Sequence, residues 1–179
     1  MHRSIRPIFR ALPVALLAVV AGALVLPTTV PAGDAPAFKH GDFMALNSRG
    51  KAPNTSTDPM RQVYEFELYS LATGEQVGTA IDDISCVAST PPPCQVVDAK
   101  TTFKLPDGEF TNHALVSVVF DPQRPGWVLV ASLPSSKGII AGTGAYAGST
   151  GKVILTGVND ASGFPAQLGV DDRWVIQFD

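Results

Sequence analysis

The chain has 179 residues, 45% of them apolar and only 16% charged, with a formal net charge of −3. Charge this sparse, against about 25% in an average soluble protein, excludes coiled coils and long disordered tails, while the apolar share suffices for one globular core. Sixteen glycines and fifteen prolines without a strict period indicate turns rather than collagen, and 13 basic against 16 acidic residues leave no surface that would grip nucleic acid.

The N-terminus reads as a secretory signal peptide over residues 1–32. Arg3, Arg6 and Arg10 precede an apolar run from Ala11 to Leu26, and Val30-Pro31-Ala32 supplies small residues for cleavage. The run is too short for a stable membrane span, which takes about 20 apolar residues. Removing it leaves 10 basic and 16 acidic residues, a net charge of −6. The expected product is secreted or periplasmic, acidic, and repelled by anionic lipid.

Residues 33–60 are mixed in composition and show no periodicity, so they read as an extended leader or loop, with His40 inside it. The Asn54-Thr55-Ser56 sequon in this stretch is a weak signal of glycosylation.

From Arg61 onward the pattern turns β-like. Val63–Leu71 alternates, with Tyr64, Phe66 and Leu68 on one face and Val63, Glu65, Glu67 and Tyr69 on the other. Further strands are predicted over Gln76–Val87, Gln95–Leu105, Phe110–Phe120, Trp127–Leu133, Gly138–Ala141, Gly151–Val158 and Arg173–Phe178. Turn signals such as Pro106-Asp107-Gly108 and Pro125-Gly126 separate them. Eight short strands and no amphipathic helix predict an all-β domain over residues 61–179, a single antiparallel barrel.

Cys86 and Cys94 are the only cysteines. In an exported chain an oxidised pair is the default, and Ser89-Thr90-Pro91-Pro92-Pro93 between them reads as a stiff reversal. Two thiols without a nearby histidine do not make a zinc site, and no metal or cofactor is predicted.

The stretch Gly142-Thr143-Gly144-Ala145-Tyr146-Ala147-Gly148 resembles a dinucleotide fingerprint in spelling only, because Ser149-Thr150-Gly151 and another β-run follow where a helix is required. Within Gly138–Val153 it resembles the glycine-rich strand–turn–strand of the allene oxide cyclase and dirigent superfamily. Val63-Tyr64-Glu65 is similar to the first strand of allene oxide cyclases, and Asp107-Gly108-Glu109-Phe110 to a turn of dirigent barrels. The resemblance covers most of Val63–Phe178 and implies an eight-stranded, calycin-like barrel. It also implies that Glu65 faces the interior as a catalytic acid/base, with Glu67 beside it. The chain departs from those enzymes in carrying Glu67 where they have Asn, and in lacking the Asn-Ser-Pro that follows.

The remaining candidates are weaker. Tyr69, Phe103, His113, Trp127 and Tyr146 are predicted to line a ligand cavity, although core packing would account for the aromatics equally well. Asp82-Asp83 and Asp171-Asp172 read as solvated turns or strand ends. Ser132, Ser135 and Ser136 carry no hydrolase motif. Two functions follow: a cyclase or isomerase that confines an apolar substrate beside a carboxylate, or a non-catalytic secreted barrel that carries a hydrophobic ligand or guides another enzyme's product. The expected partner is a hydrophobic small molecule, with a homo-oligomer admitted and nucleic acid or stable membrane insertion not expected.

Overall fold

The computed structural model describes residues 41–87 and 94–179. The predicted signal peptide and the proline-rich reversal after Cys86 lie outside the described residues. Nine strands form the fold: β1 (Phe43–Pro53), β2 (Arg61–Ser70), β3 (Gln76–Cys86), β4 (Val96–Leu105), β5 (Gly108–Phe120), β6 (Trp127–Ser132), β7 (Gly138–Gly142), β8 (Gly151–Asp160) and β9 (Gln167–Phe178). Among the described residues the sole helical element is one 3-10 turn, Gly144–Tyr146.

The sheet runs β4-β3-β2-β1-β9-β8-β6-β5 and closes through a β4–β5 pairing, all antiparallel. β7 pairs with the first half of β5 and β6 with the second half. Those two short strands therefore share one wall position, and the barrel has eight. Ser136 stitches the break between them: its Oγ donates to the Leu133 carbonyl (2.7 Å) and accepts from the Leu115 N–H (3.2 Å). Closure removes the exposed strand edges that would otherwise recruit other chains.

The barrel begins earlier than the sequence predicts. β1 falls inside the stretch read as a leader, and it hydrogen-bonds to both β2 and β9. Its eleven-residue pairing with β9 makes it a full wall strand rather than a strap. Asn54 of the sequon is turned inward at the β1–β2 loop, where its Oδ1 accepts from the Ser56 and Val63 N–H groups (2.9 and 3.0 Å). Its side chain is a structural cap for that loop.

The two ends of the barrel differ. At the end formed by the β2–β3 and β4–β5 turns, Phe103, Phe110, Tyr146 and Phe178 fill the lumen. Phe103 stacks on Phe110 with centroids 4.6 Å apart, and Tyr146 lies 5.0 Å from Phe110 and 6.0 Å from Phe178. The glycine-rich segment exists to deliver Tyr146 into this plug. Gly144 sits at φ +58°, and a Cβ there would lie 2.2 Å from the Asp107 carbonyl oxygen, so only glycine fits the corner.

The opposite end carries the loops 54–60, 121–126 and 161–166 and the Cys86–Cys94 disulfide. The bridge ties the end of β3 to the approach of β4. Its removal by reductant is expected to lower stability by about 2–4 kcal/mol, checked by urea unfolding with and without a phosphine reductant. Unchanged unfolding midpoints would contradict this.

Candidate functional site

Burial alternates along the strands, and that alternation decides which side chains the lumen receives. On β2, Tyr64, Phe66 and Leu68 are buried, whereas Glu65 and Glu67 are exposed. The outward direction of the two glutamates corrects the expectation drawn from the resemblance. The Glu65 side chain is 54% exposed, accepts from Thr79 Oγ1 (3.0 Å) and lies 3.8 Å from Lys104 Nζ. Glu67 accepts a hydrogen bond from the Tyr69 hydroxyl, itself capped by the Arg49 guanidinium 5.1 Å from the ring centroid. Three aromatic or aliphatic side chains outweigh two carboxylates in choosing the inward face, because burying two unpaired charges is far the costlier choice.

The other predicted ligand residues also disperse. Tyr69 belongs to that outer cluster. His113 is on the outer side of β5, its Nε2 2.9 Å from Asp98 Oδ1. Trp127 is on the outer side of β6, stacked under Arg124 at 5.0 Å. Phe103 and Tyr146 do point inward, but they pack in the filled end rather than line an open space. None of the five borders the main cavity.

That cavity occupies the half of the lumen toward the disulfide end. It has a volume of about 420 Å³, within the range of small-molecule sites. Val97, Val116, Val128, Val130, Leu155 and Trp174 make up much of its wall. Phe120 and Phe164, 45% and 47% exposed, border it at the rim. Trp174 forms the boundary with the packed end: it stands edge-on to Phe103 (5.1 Å) and its Nε1 donates to Ser48 Oγ (3.0 Å).

The ionisable groups in this wall come from the two Asp doublets that the sequence places in solvated turns or strand ends. Both doublets lie within strands, so one member of each points in. Asp82 on β3 and Asp172 on β9 are 8% and 2% exposed, while Asp83 pairs with Arg61 on the outer surface. Asp171 also faces outward, accepting from Asn47 Nδ2 at 2.9 Å.

Asp82 stands between Tyr64 of β2 and Thr101 of β4 in the strand register. Its Oδ1 has no hydrogen-bond partner among the described residues. Burial pushes its carboxyl up to about 6, against a smaller opposing pull from the Thr101 hydrogen bond. Asp172 is raised well above the ordinary carboxylate range, first by burial and then by the charge of Asp82, with Asn159 opposing. The Asn159 amide donates through Nδ2 to Asp172 Oδ1 (2.9 Å) and to the Val158 carbonyl (3.1 Å).

Space for Asp172 is made by Gly157, its register partner on β8. A Cβ at Gly157 would lie 1.7 Å from Asp172 Oδ1, so the glycine is a niche in the wall shaped to that carboxyl. One further inner-wall group stands out. Asn112 on β5, opposite Thr101, is 1% exposed with neither side-chain atom hydrogen-bonded among the described residues.

No known protein family matches the chain, and no curated protein matches it. The resemblance to allene oxide cyclases therefore rests on the quoted segments alone. Among solved structures, the chain is similar to one described as a pyocyanin demethylase, at 20% identity and TM-score 0.43, over 77% of this chain and 100% of the other. It is also similar to the Diels Alderase AbmU from Streptomyces koyangensis, at 14% identity and TM-score 0.39, over 88% and 84% of the two chains. Both likenesses are too distant to carry a function. The chemistry rests on the site itself.

Among the described residues no group of three or more His, Cys, Asp or Glu is arranged to hold a metal ion. The site offers two interacting carboxyls that titrate apart in an apolar chamber. Burial lifts both carboxyls, Asp82 to about 6 and Asp172 well above the ordinary carboxylate range, so Asp82 is the readier proton acceptor and Asp172 the tighter proton holder.

Proposed function

We propose that this barrel is an exported cyclase or isomerase that folds a hydrophobic small molecule in its lumen and moves a proton with Asp172 and Asp82. The observation that carries the reading is the pair of buried carboxyls bordering a mostly apolar cavity of about 420 Å³. Isolated carboxyls are not retained in apolar surroundings for stability, since each must be desolvated or kept protonated.

In this mechanism the wall supplies confinement, which holds a flexible substrate in the reactive fold. Asp172 gives its proton to an electron-rich oxygen or double bond of the substrate. Positive charge that develops during ring closure is stabilised by the Asp82 carboxylate. Loss of a proton from the cyclised product to Asp82 restores neutrality, and the pair returns to its starting state by passing one proton back. Atoms and electrons balance without an oxidant or reductant, so the product is an isomer of the substrate.

The test is conversion of flexible apolar alkenes and epoxides by the mature protein, followed by mass-neutral product analysis. Asp172→Asn is expected to lower turnover by about 10²–10⁴ while the far-ultraviolet circular dichroism stays unchanged. Val116→Phe, which fills the chamber, is expected to abolish binding and turnover together. Binding that Val116→Phe abolishes, without turnover by the unaltered protein, would make the barrel a carrier instead.

A further inference from the structure

The chamber has an electrostatic asymmetry that narrows what it accepts. Its lining contains two carboxyls, and no Lys, Arg or His borders it among the described residues. The titratable groups on the inner faces of the elements around Asp82 are Tyr64 of β2 and Asp172 of β9, with Asp171 behind Asp172 on the outer side. None of these supplies a positive charge. The cations Arg61 and Lys104 are spent on Asp83 and Glu65 outside the barrel.

A second, independent observation points to a missing partner. Asp82 borders the cavity, and its buried Oδ1 has no hydrogen-bond donor among the described residues. An orphaned buried acceptor of this kind is expensive unless a bound group satisfies it. The group that fits is a donor, and a charged donor fits best, because it neutralises the desolvated carboxylate as well as hydrogen-bonding to it.

From the geometry we infer that the chamber selects lipophilic monocations, apolar molecules bearing one protonated nitrogen that seats against Asp82 with the hydrocarbon body between Val116, Val130 and Leu155. This rests on the proposed reading of the same cavity and adds the charge class of its ligand. One ammonium at Asp82 supplies the positive charge that the lining of the chamber lacks. The same preference would apply to a substrate whose positive charge appears only during reaction, for which a stable ammonium is a mimic.

Three probes of nearly equal shape separate the alternatives: 1-adamantylamine, 1-adamantanol and adamantane-1-carboxylate, each titrated into the mature, disulfide-intact protein by calorimetry. At about pH 7.5 the amine is expected to bind at least roughly tenfold more tightly than the alcohol, and the carboxylate more weakly than either. At about pH 4.5 Asp82 is protonated while the alkylammonium keeps its charge, so the preference for the amine should vanish. Asp82→Asn should remove it at pH 7.5, leaving amine and alcohol bound with similar affinity. Val116→Phe should block both.

Equal binding of amine and alcohol, blocked by Val116→Phe, would overturn the cation preference while leaving the small-molecule chamber intact. A preference that survives Asp82→Asn would also overturn it. Failure of all three probes to bind at millimolar concentration would count against the chamber reading as well.

Discussion

Asp82→Asn is expected to make the protein more stable at pH 7.5, by about 3 kcal/mol, or a rise of roughly 10 °C in melting temperature. The reasoning is linkage. Burial lifts the folded-state pKa of Asp82 from an ordinary 3.8 to about 6. Between those values the folded state holds more protons than the unfolded state, so stability falls as pH rises. The penalty is absent below about pH 4 and complete above about pH 6. Asparagine has the same shape and no charge to desolvate, so it removes the penalty. Thermal melts of both proteins should therefore converge near pH 4 and separate above pH 6. Asp172 adds to the same slope, because burial raises its carboxyl as well. Greater stability with loss of turnover is the signature of a group retained for function against the interest of the fold.

Trp174→Ala is expected to have the largest destabilising effect of any single substitution in the lumen, about 3–5 kcal/mol. The indole is 2% exposed, packs edge-on against Phe103 and donates to Ser48. Truncation would merge the ligand chamber with a new void against the packed end and orphan the fully buried Ser48 hydroxyl. Urea unfolding measures the loss. Trp174→Phe should recover most of the packing but not the hydrogen bond, and an effect of Trp174→Ala below about 1 kcal/mol would mean that the partition is not there.

The barrel was legible in the sequence because its strands alternate and its turns are marked. Tyr64, Phe66 and Leu68 identify an inner face without help from any neighbour, and Pro106-Asp107-Gly108 marks a hairpin that the structure contains. β1 was not legible. Asn47 and Ser48 are consecutive and both buried, Gly50 interrupts the run, and Arg49 and Lys51 flank it, so no period of two survives. Pairing on both sides makes it a strand, and that information is tertiary.

The inward placement expected for Glu65 failed for a related reason. The resemblance assigned Glu65 to the interior, whereas the structure buries the opposite, apolar face of β2, Tyr64, Phe66 and Leu68. The same parity rule could have found Asp82 and Asp172. Ala80, Asp82 and Ile84 share a face of β3, and Asp172, Trp174 and Ile176 share a face of β9. Asp171-Asp172 looks like a turn only while the strand is drawn too short, and the predicted last strand began one residue after Asp172; Asp82-Asp83 already lay within the predicted Gln76–Val87 strand, where parity alone turns one of them inward. His113 and Trp127 were lost in the same way, being aromatic residues on outward positions where Asp98 and Arg124 pair with them.

Direct titration of the two inner carboxyls tests the central claim most closely. Carbon-13 spectra of side-chain-labelled protein, assigned with Asp82→Asn and Asp172→Asn, follow each carboxyl carbon from pH 3 to 9. The expected result is that Asp82 titrates near pH 6 and Asp172 well above the ordinary carboxylate range, with the Asp172 midpoint falling when Asp82 is replaced. Two independent midpoints near the ordinary value of 3.8 would mean that both carboxyls are solvated, and that the lumen holds no acid and base for chemistry.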